Sequence, residues 1–137
     1  WRRRCERSLA TSTGGHRILT GWQLTCDDFC HVIHIPVDLN PLGGTRCGKR
    51  EAIERLRLIA EQFDFVVFDT SGLLIDRNRA AVEVPIHYRH RETGAPFEST
   101  KANFWTLEDG WPVKLTEYHD IARVQAFVAA HAGAHPA

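Results

Sequence analysis

The chain is 137 residues long, 43% apolar and 25% charged, with seventeen basic residues set against seventeen acidic ones. That length makes one domain, residues 1–137, able to bury a core unaided. Zero formal charge excludes a dedicated nucleic-acid binder, which carries a basic excess. No apolar run approaches the ~20 residues of a membrane span, and no secretory leader is visible, so no membrane partner and a cytoplasmic location are expected.

The chain opens on Trp1 and contains no methionine, so a translated start upstream is expected. Residues 1–9 form a helix-compatible mix in which Arg2, Arg3, Arg4 and Arg7 read as a solvated face. Thr11 to Gly15 breaks it, and residues 16–26 follow neither the helical nor the strand period. The four cysteines, Cys5, Cys26, Cys30 and Cys47, read as free thiols, because a domain of this size needs no disulfide staples.

Phe29 to Ile35 alternates as a strand, with Phe29, Ile33 and Ile35 on one side and Cys30, Val32 and His34 on the other. Pro36, Asn40, Pro41, Gly43 and Gly44 then spell a loop. Residues 49–63 carry Ile53, Leu56, Ile59, Ala60 and Phe63 at helical spacing, with Gly48 at the N-cap and a Glu51–Arg55 i,i+4 pair. From Phe65 the period is two. Strands are expected at 65–69, continuing through 73–75, then at 80–90, 98–107 and 112–119, with turns at Glu92-Thr93-Gly94 and Glu108-Asp109-Gly110. Asp120 caps a last helix whose apolar face is Ile121, Val124, Phe127 and Val128. Grouped helices and an antiparallel meander make the class α+β.

Two motifs are near misses. Gly43-x-x-x-x-Gly48-Lys49-Arg50 resembles a P-loop, but Arg50 stands where the Mg²⁺-binding Ser/Thr belongs. Cys26, Cys30, His31 and His34 suggest zinc, but neighbouring strand residues face opposite ways. No metal, nucleotide or other cofactor is therefore expected.

Phe104-Trp105-Thr106-Leu107-Glu108-Asp109-Gly110, then Glu117-Tyr118-His119-Asp120, and the helix start Gly48-Lys49-Arg50-Glu51-Ala52-Ile53, resemble the SnoaL-like branch of the nuclear transport factor 2-like superfamily. That group includes polyketide cyclases, limonene epoxide hydrolase and ketosteroid isomerase. The resemblance covers roughly residues 28–130. It implies a curled antiparallel sheet wrapped around helices, a cystatin-like α+β roll, with a cone-shaped pocket on its concave face. It further implies that Glu83, Lys101, Glu117, His119 and His34 surround that pocket, lined also by Val32, Ser99, Asn103, Trp105 and Leu115.

Paired carboxylates of divergent pKa suit acid–base work. Glu83 and Glu117 match the two acids of limonene epoxide hydrolase, but Ala81 stands where its Arg would be. Ile35 lies near the place of the ketosteroid isomerase base and abstracts no proton. The cyclases imply Glu117 as acid/base, with Glu83 as its partner and Lys101 and His34 supporting. Of the two carboxylates, the one nearer Lys101 is expected to stay ionised and the other to be raised. The reading is a metal-free, cofactor-free isomerase, lyase or hydrolase acting on a small hydrophobic or polyketide-like molecule. The alternatives are a non-catalytic ligand-binding protein, or a homodimeric interaction module pairing through a convex stripe of Val82, Val84, Ile86, Tyr88 and Phe104. A one-residue register shift inverts every face, and Glu83–Lys101 then becomes an exposed cross-strand pair.

Overall fold

The computed structural model describes residues 27–68 and 72–131. The expectations for residues 1–26, with Cys5, Cys26 and the arginine cluster, lie outside the described residues. Among those described, the chain runs β1 (Cys30–His34), β2 (Gly44–Cys47), α1 (Lys49–Gln62), β3 (Phe63–Phe68), β4 (Leu74–Asp76), β5 (Arg79–His90), β6 (Pro96–Glu108), β7 (Trp111–His119) and α2 (Ile121–His131). The seven strands form one curled sheet in the order β2-β1-β7-β6-β5-β3, with β4 also on β5. This is the α+β roll expected. One pairing was not: β1 runs parallel to β7, so the sheet is mixed. Parallel neighbours need a long crossover, and here nearly the whole described chain serves as one.

The β6–β7 hairpin forms where the sequence signals it. Glu108 pairs with Trp111, leaving Asp109 and Gly110 as a two-residue loop with φ of 51° and 79°. Positive φ at both positions matches the twist of the flanking strands and favours Asp-Gly. On the inner face of β5, Val82, Val84, Ile86 and Tyr88 are buried and pack with Phe63, Phe65 and Phe97. This corrects the expected convex stripe: those four residues are core, and only Phe104 of that set is exposed. Asp120 caps α2 by accepting from the Arg123 amide at 3.2 Å. Phe127 of α2 closes the aromatic end against Phe97, with ring centres 5.3 Å apart.

The segment expected as an unbroken loop contains β2. Arg46 and Cys47 pair with His31 and Cys30, and Cys30 and Cys47 are joined by a disulfide. The free-thiol expectation fails for these two because the pairing that brings them together was not visible as a strand. Gly43 is required by close approach: a Cβ there would lie 2.0 Å from the Ile35 carbonyl oxygen.

Helix α1 begins after Gly48, whose φ of 100° suits glycine, and the Ala52 amide bonds back to its carbonyl at 3.0 Å. The expected Glu51–Arg55 surface pair does not form. Arg55 is fully buried and donates to the carbonyls of His31 at 2.9 Å and of Gly44 at 3.0 Å. One helical arginine thereby ties α1 to both strands of the β1–β2 hairpin. Burial, then the charge of Arg46, lowers its pKa to about 10, which leaves it protonated at neutral pH.

Replacing Arg55 with Met strips these carbonyls of their donor inside the protein. Urea denaturation of Arg55→Met is expected to show a loss of about 3 kcal/mol. Arg57→Met is the control. Arg57 binds Glu54 and Glu61 on the exposed side of the same helix, and its loss is expected to leave the urea midpoint close to that of the wild type.

Candidate functional site

Directly paired strand residues share a face, so the register fixes which side chains meet. Across β5–β6, Val82 pairs with Asn103, Val84 with Lys101 and Ile86 with Ser99. Across β6–β7, Lys101 pairs with His119, Asn103 with Glu117 and Trp105 with Leu115. Across β7–β1, Leu115 pairs with His31 and Glu117 with Ile33. The inner face therefore gathers Ser99, Lys101, Asn103, Trp105, Leu115, Glu117 and His119, as the sequence suggested.

It does not gather Glu83, His34 or Val32. Glu83 is exposed on the opposite face of β5, between buried Val82 and Val84. His34 is also exposed and stacks on Tyr118, ring centres 4.3 Å apart, on the outer face. Val32 shares that outer face. The resemblance set β1 and β5 one residue out of phase. The carboxylate pair is thus not a pair, and Glu117 stands without Glu83. The residue missed is His31, which is fully buried. Its signal was present: Phe29 and Ile33 mark the apolar side of β1, and His31 lies between them.

Glu117 is 5% exposed and Lys101 7%. Glu117 Oε2 lies 3.0 Å from Lys101 Nζ and 2.9 Å from His119 Nε2. Its Oε1 lies 3.2 Å from His31 Nε2. Burial works against ionisation of this carboxyl, but the Lys101 charge and the hydrogen bonds from His119 and His31 prevail and hold it well below the usual carboxylate range. The expectation of two carboxylates sharing the cavity, one ionised and one raised, falls with Glu83 on the other face; Glu117 beside Lys101 is ionised by itself. For His31 the balance goes the other way: burial outweighs the attraction of Glu117 and lowers its pKa. The ring is neutral at neutral pH. Burial, reinforced by the Glu117 charge, raises the Tyr88 phenol and keeps it protonated.

A carboxylate held by three donors is a poor proton acceptor, since a useful base has a pKa near the working pH. His119 is better placed. Its Nε2–H donates to the ionised Glu117 at 2.9 Å, which leaves the Nδ1 lone pair as an acceptor. Farther along β6, Asn103 Oδ1 and Ser99 Oγ are buried without a hydrogen-bond partner. Cys30, weighed above as a zinc ligand, is committed to the disulfide. Among the described residues no group of three or more His, Cys, Asp and Glu side chains is arranged to hold a metal ion.

Breaking the buried pair from one side leaves the other charge uncompensated. Lys101→Met and Glu117→Gln are each expected to lose about 3–5 kcal/mol in denaturant titrations, and the double variant much less than their sum. Acid stability follows from the two shifts. The unfolded chain binds a proton at His31 below about pH 6.5 while the folded ring resists, and at Glu117 below about pH 4.3 while the folded carboxylate resists. Both make stability fall as pH falls, His31 first. Thermal unfolding of His31→Gln is expected to vary less between pH 7 and 5 than that of the wild type.

No protein-family model and no curated protein matches the sequence. Solved structures do. A provisionally assigned isomerase from Rhodopseudomonas palustris superposes with a TM-score of 0.72 at 24% identity, covering 83% of this chain and 90% of its own. An NTF2-like protein from Burkholderia xenovorans gives 0.69 at 19% identity, covering 82% and 84%. A protein from Catenulispora acidiphila with a ketosteroid isomerase-like fold, in complex with trimethylamine, gives 0.67 at 15% identity, covering 85% and 82%. A protein from Mesorhizobium loti provisionally assigned as a SnoaL-like polyketide cyclase gives 0.59 at 12% identity, covering 76% and 92%. The chain therefore has the NTF2-like fold.

Proposed function

We propose that this NTF2-like chain binds a small hydrophobic molecule against the inner face of its sheet and moves a proton on it through His119. The observation that carries the reading is the 2.9 Å contact between His119 and the buried Glu117, which fixes the tautomer and orientation of the ring. Lys101 and His31 keep that carboxylate ionised. In this scheme Glu117 is a positioning residue rather than the acid/base, and Glu83 and His34 take no part. The apolar residues of β5, with Phe97 and Trp105, receive the body of the molecule. Small ligands in proteins of the same fold, trimethylamine in one and polyporic acid in another, support a molecule of modest size. The reaction class is proton transfer at a carbon or oxygen, as in isomerisation, cyclisation or dehydration, with no resident cofactor.

The test needs no knowledge of the natural substrate. In D₂O, wild-type protein is expected to accelerate loss of the α-proton NMR signals of 2-tetralone over buffer, and His119→Gln to lose about 10²-fold of that rate. Equal rates for the two proteins would remove His119 from the mechanism.

The outer face supports pairing of two copies. Phe104 and Tyr118 are exposed there, 40% and 48%, and their rings meet edge to face. Sedimentation at tens of micromolar, an ordinary dimer range, is expected to give a dimer that Phe104→Glu dissociates. The Cys30–Cys47 disulfide supports an oxidising compartment over the cytoplasm.

A further inference from the structure

The inner face holds a polar atom that no other described residue uses. Asn103 is 4% exposed, and its Oδ1 is buried with no hydrogen-bond partner among the described residues. It lies directly across from Glu117 and one inward-facing position from Lys101, yet it joins neither. An unmet buried acceptor is costly, so a strand that needed only packing at this position would be better served by an apolar residue. Ser99 Oγ, two inward positions away on the same strand face, is also buried and unpartnered. The β-branched residues across from them, Val82 and Ile86 on β5, offer no side-chain donor.

The charges beside Asn103 are already committed. Lys101 and Glu117 lie 3.0 Å apart, and the buried Arg55 guanidinium is held by the carbonyls of His31 and Gly44. An ion brought against the Asn103 amide would add a further buried charge beside these, which is costly.

From the orphaned amide and the committed charges we infer that the molecule taken by the inner face is uncharged and carries a hydroxyl, which donates to Asn103 Oδ1. This rests on the small-molecule reading above and narrows it: Asn103 is a specificity residue, while His119 does the chemistry. An enol, phenol or alcohol on an apolar skeleton satisfies both conditions, and a carboxylate or phosphate does not.

The probes are 2-naphthol, naphthalene and 2-naphthoate, titrated by fluorescence into wild type and Asn103→Val. Wild type is expected to prefer 2-naphthol to naphthalene by about tenfold or more, since a site with a buried acceptor rejects an analogue lacking the donor. It is expected to bind 2-naphthoate more weakly than 2-naphthol by a similar factor. Asn103→Val is expected to lose the preference for the hydroxyl while still binding naphthalene. Binding without preference for the hydroxyl, or a tighter naphthoate, overturns this inference and leaves the functional reading standing. No binding of any probe overturns both. A measurement without ligand separates specificity from structure: the melting temperature of Asn103→Val is expected to match or exceed that of wild type. A marked fall would show that the amide serves the fold, and would overturn the assignment.

Discussion

The structure turns on one buried carboxylate. Taking an ion out of water costs several kcal/mol even after the protein relaxes around it, so Glu117 is tenable only where donors converge on it. They come from three adjacent strands: His119 from β7 itself, Lys101 from β6 and His31 from β1. Each depends on register. A slip of one residue in β6 would turn Lys101 outward, and a slip in β1 would replace His31 with Val32 or Cys30. The ion cluster therefore specifies the strand order β1-β7-β6 more narrowly than apolar packing alone, which accepts many near-equivalent arrangements.

Around that cluster the inner face divides in two. Toward β5 and β3 it is apolar and aromatic, with Tyr88, Phe65, Phe63 and Phe97 packed on one another. Toward β7 and β1 it mixes the ion cluster with buried Phe29, Ile33 and Leu115. Lys101, Asn103 and Ser99 on β6 stand at the boundary between the halves. Arg55 of α1 secures this side, holding the backbone of the very residue, His31, whose ring reaches Glu117. An amphipathic molecule lying across β6 would meet aromatic side chains at one end and the ion cluster around Glu117 at the other.

The sequence made the fold class legible because its strongest signals are local. Period-two alternation marks β5, β6 and β7, the Asp109-Gly110 pair marks the hairpin, and helical spacing marks α1. The faces of β6 and β7 followed correctly, and with them Lys101, Asn103, Glu117 and His119. What failed was non-local. Gly44 to Cys47 is too short and too polar to read as a strand, so neither β2 nor the disulfide was foreseen. Arg55 at i+4 from Glu51 looks like a surface pair until its real partners, carbonyls on another strand pair, are known. On β5 both faces looked plausible, since Ala81, Glu83 and Pro85 alternate as regularly as Val82, Val84 and Ile86. Burial decides between them, and the apolar set goes inside. Alignment by resemblance to an acidic pair overrode that simpler rule at Glu83, and at His34 likewise.

The parallel neighbourhood of β1 and β7 bears on how the molecule comes into being. Cys30 sits beside Lys114, so of the described strands the one made first must wait for the one made last. Contacts of such long sequence separation slow folding, because the chain loses loop entropy before the contact repays it. During synthesis β1 and α1 emerge long before β7 exists, and β1 then has β2 on one edge and nothing on the other. The antiparallel meander of β5, β6 and β7, with its tight turns, can organise alone once it has left the ribosome. It then offers β7 as the template on which β1 docks. His31 enters its buried position only at that step, so the cluster around Glu117 is completed last, and an incomplete chain carries its future ion site open to water.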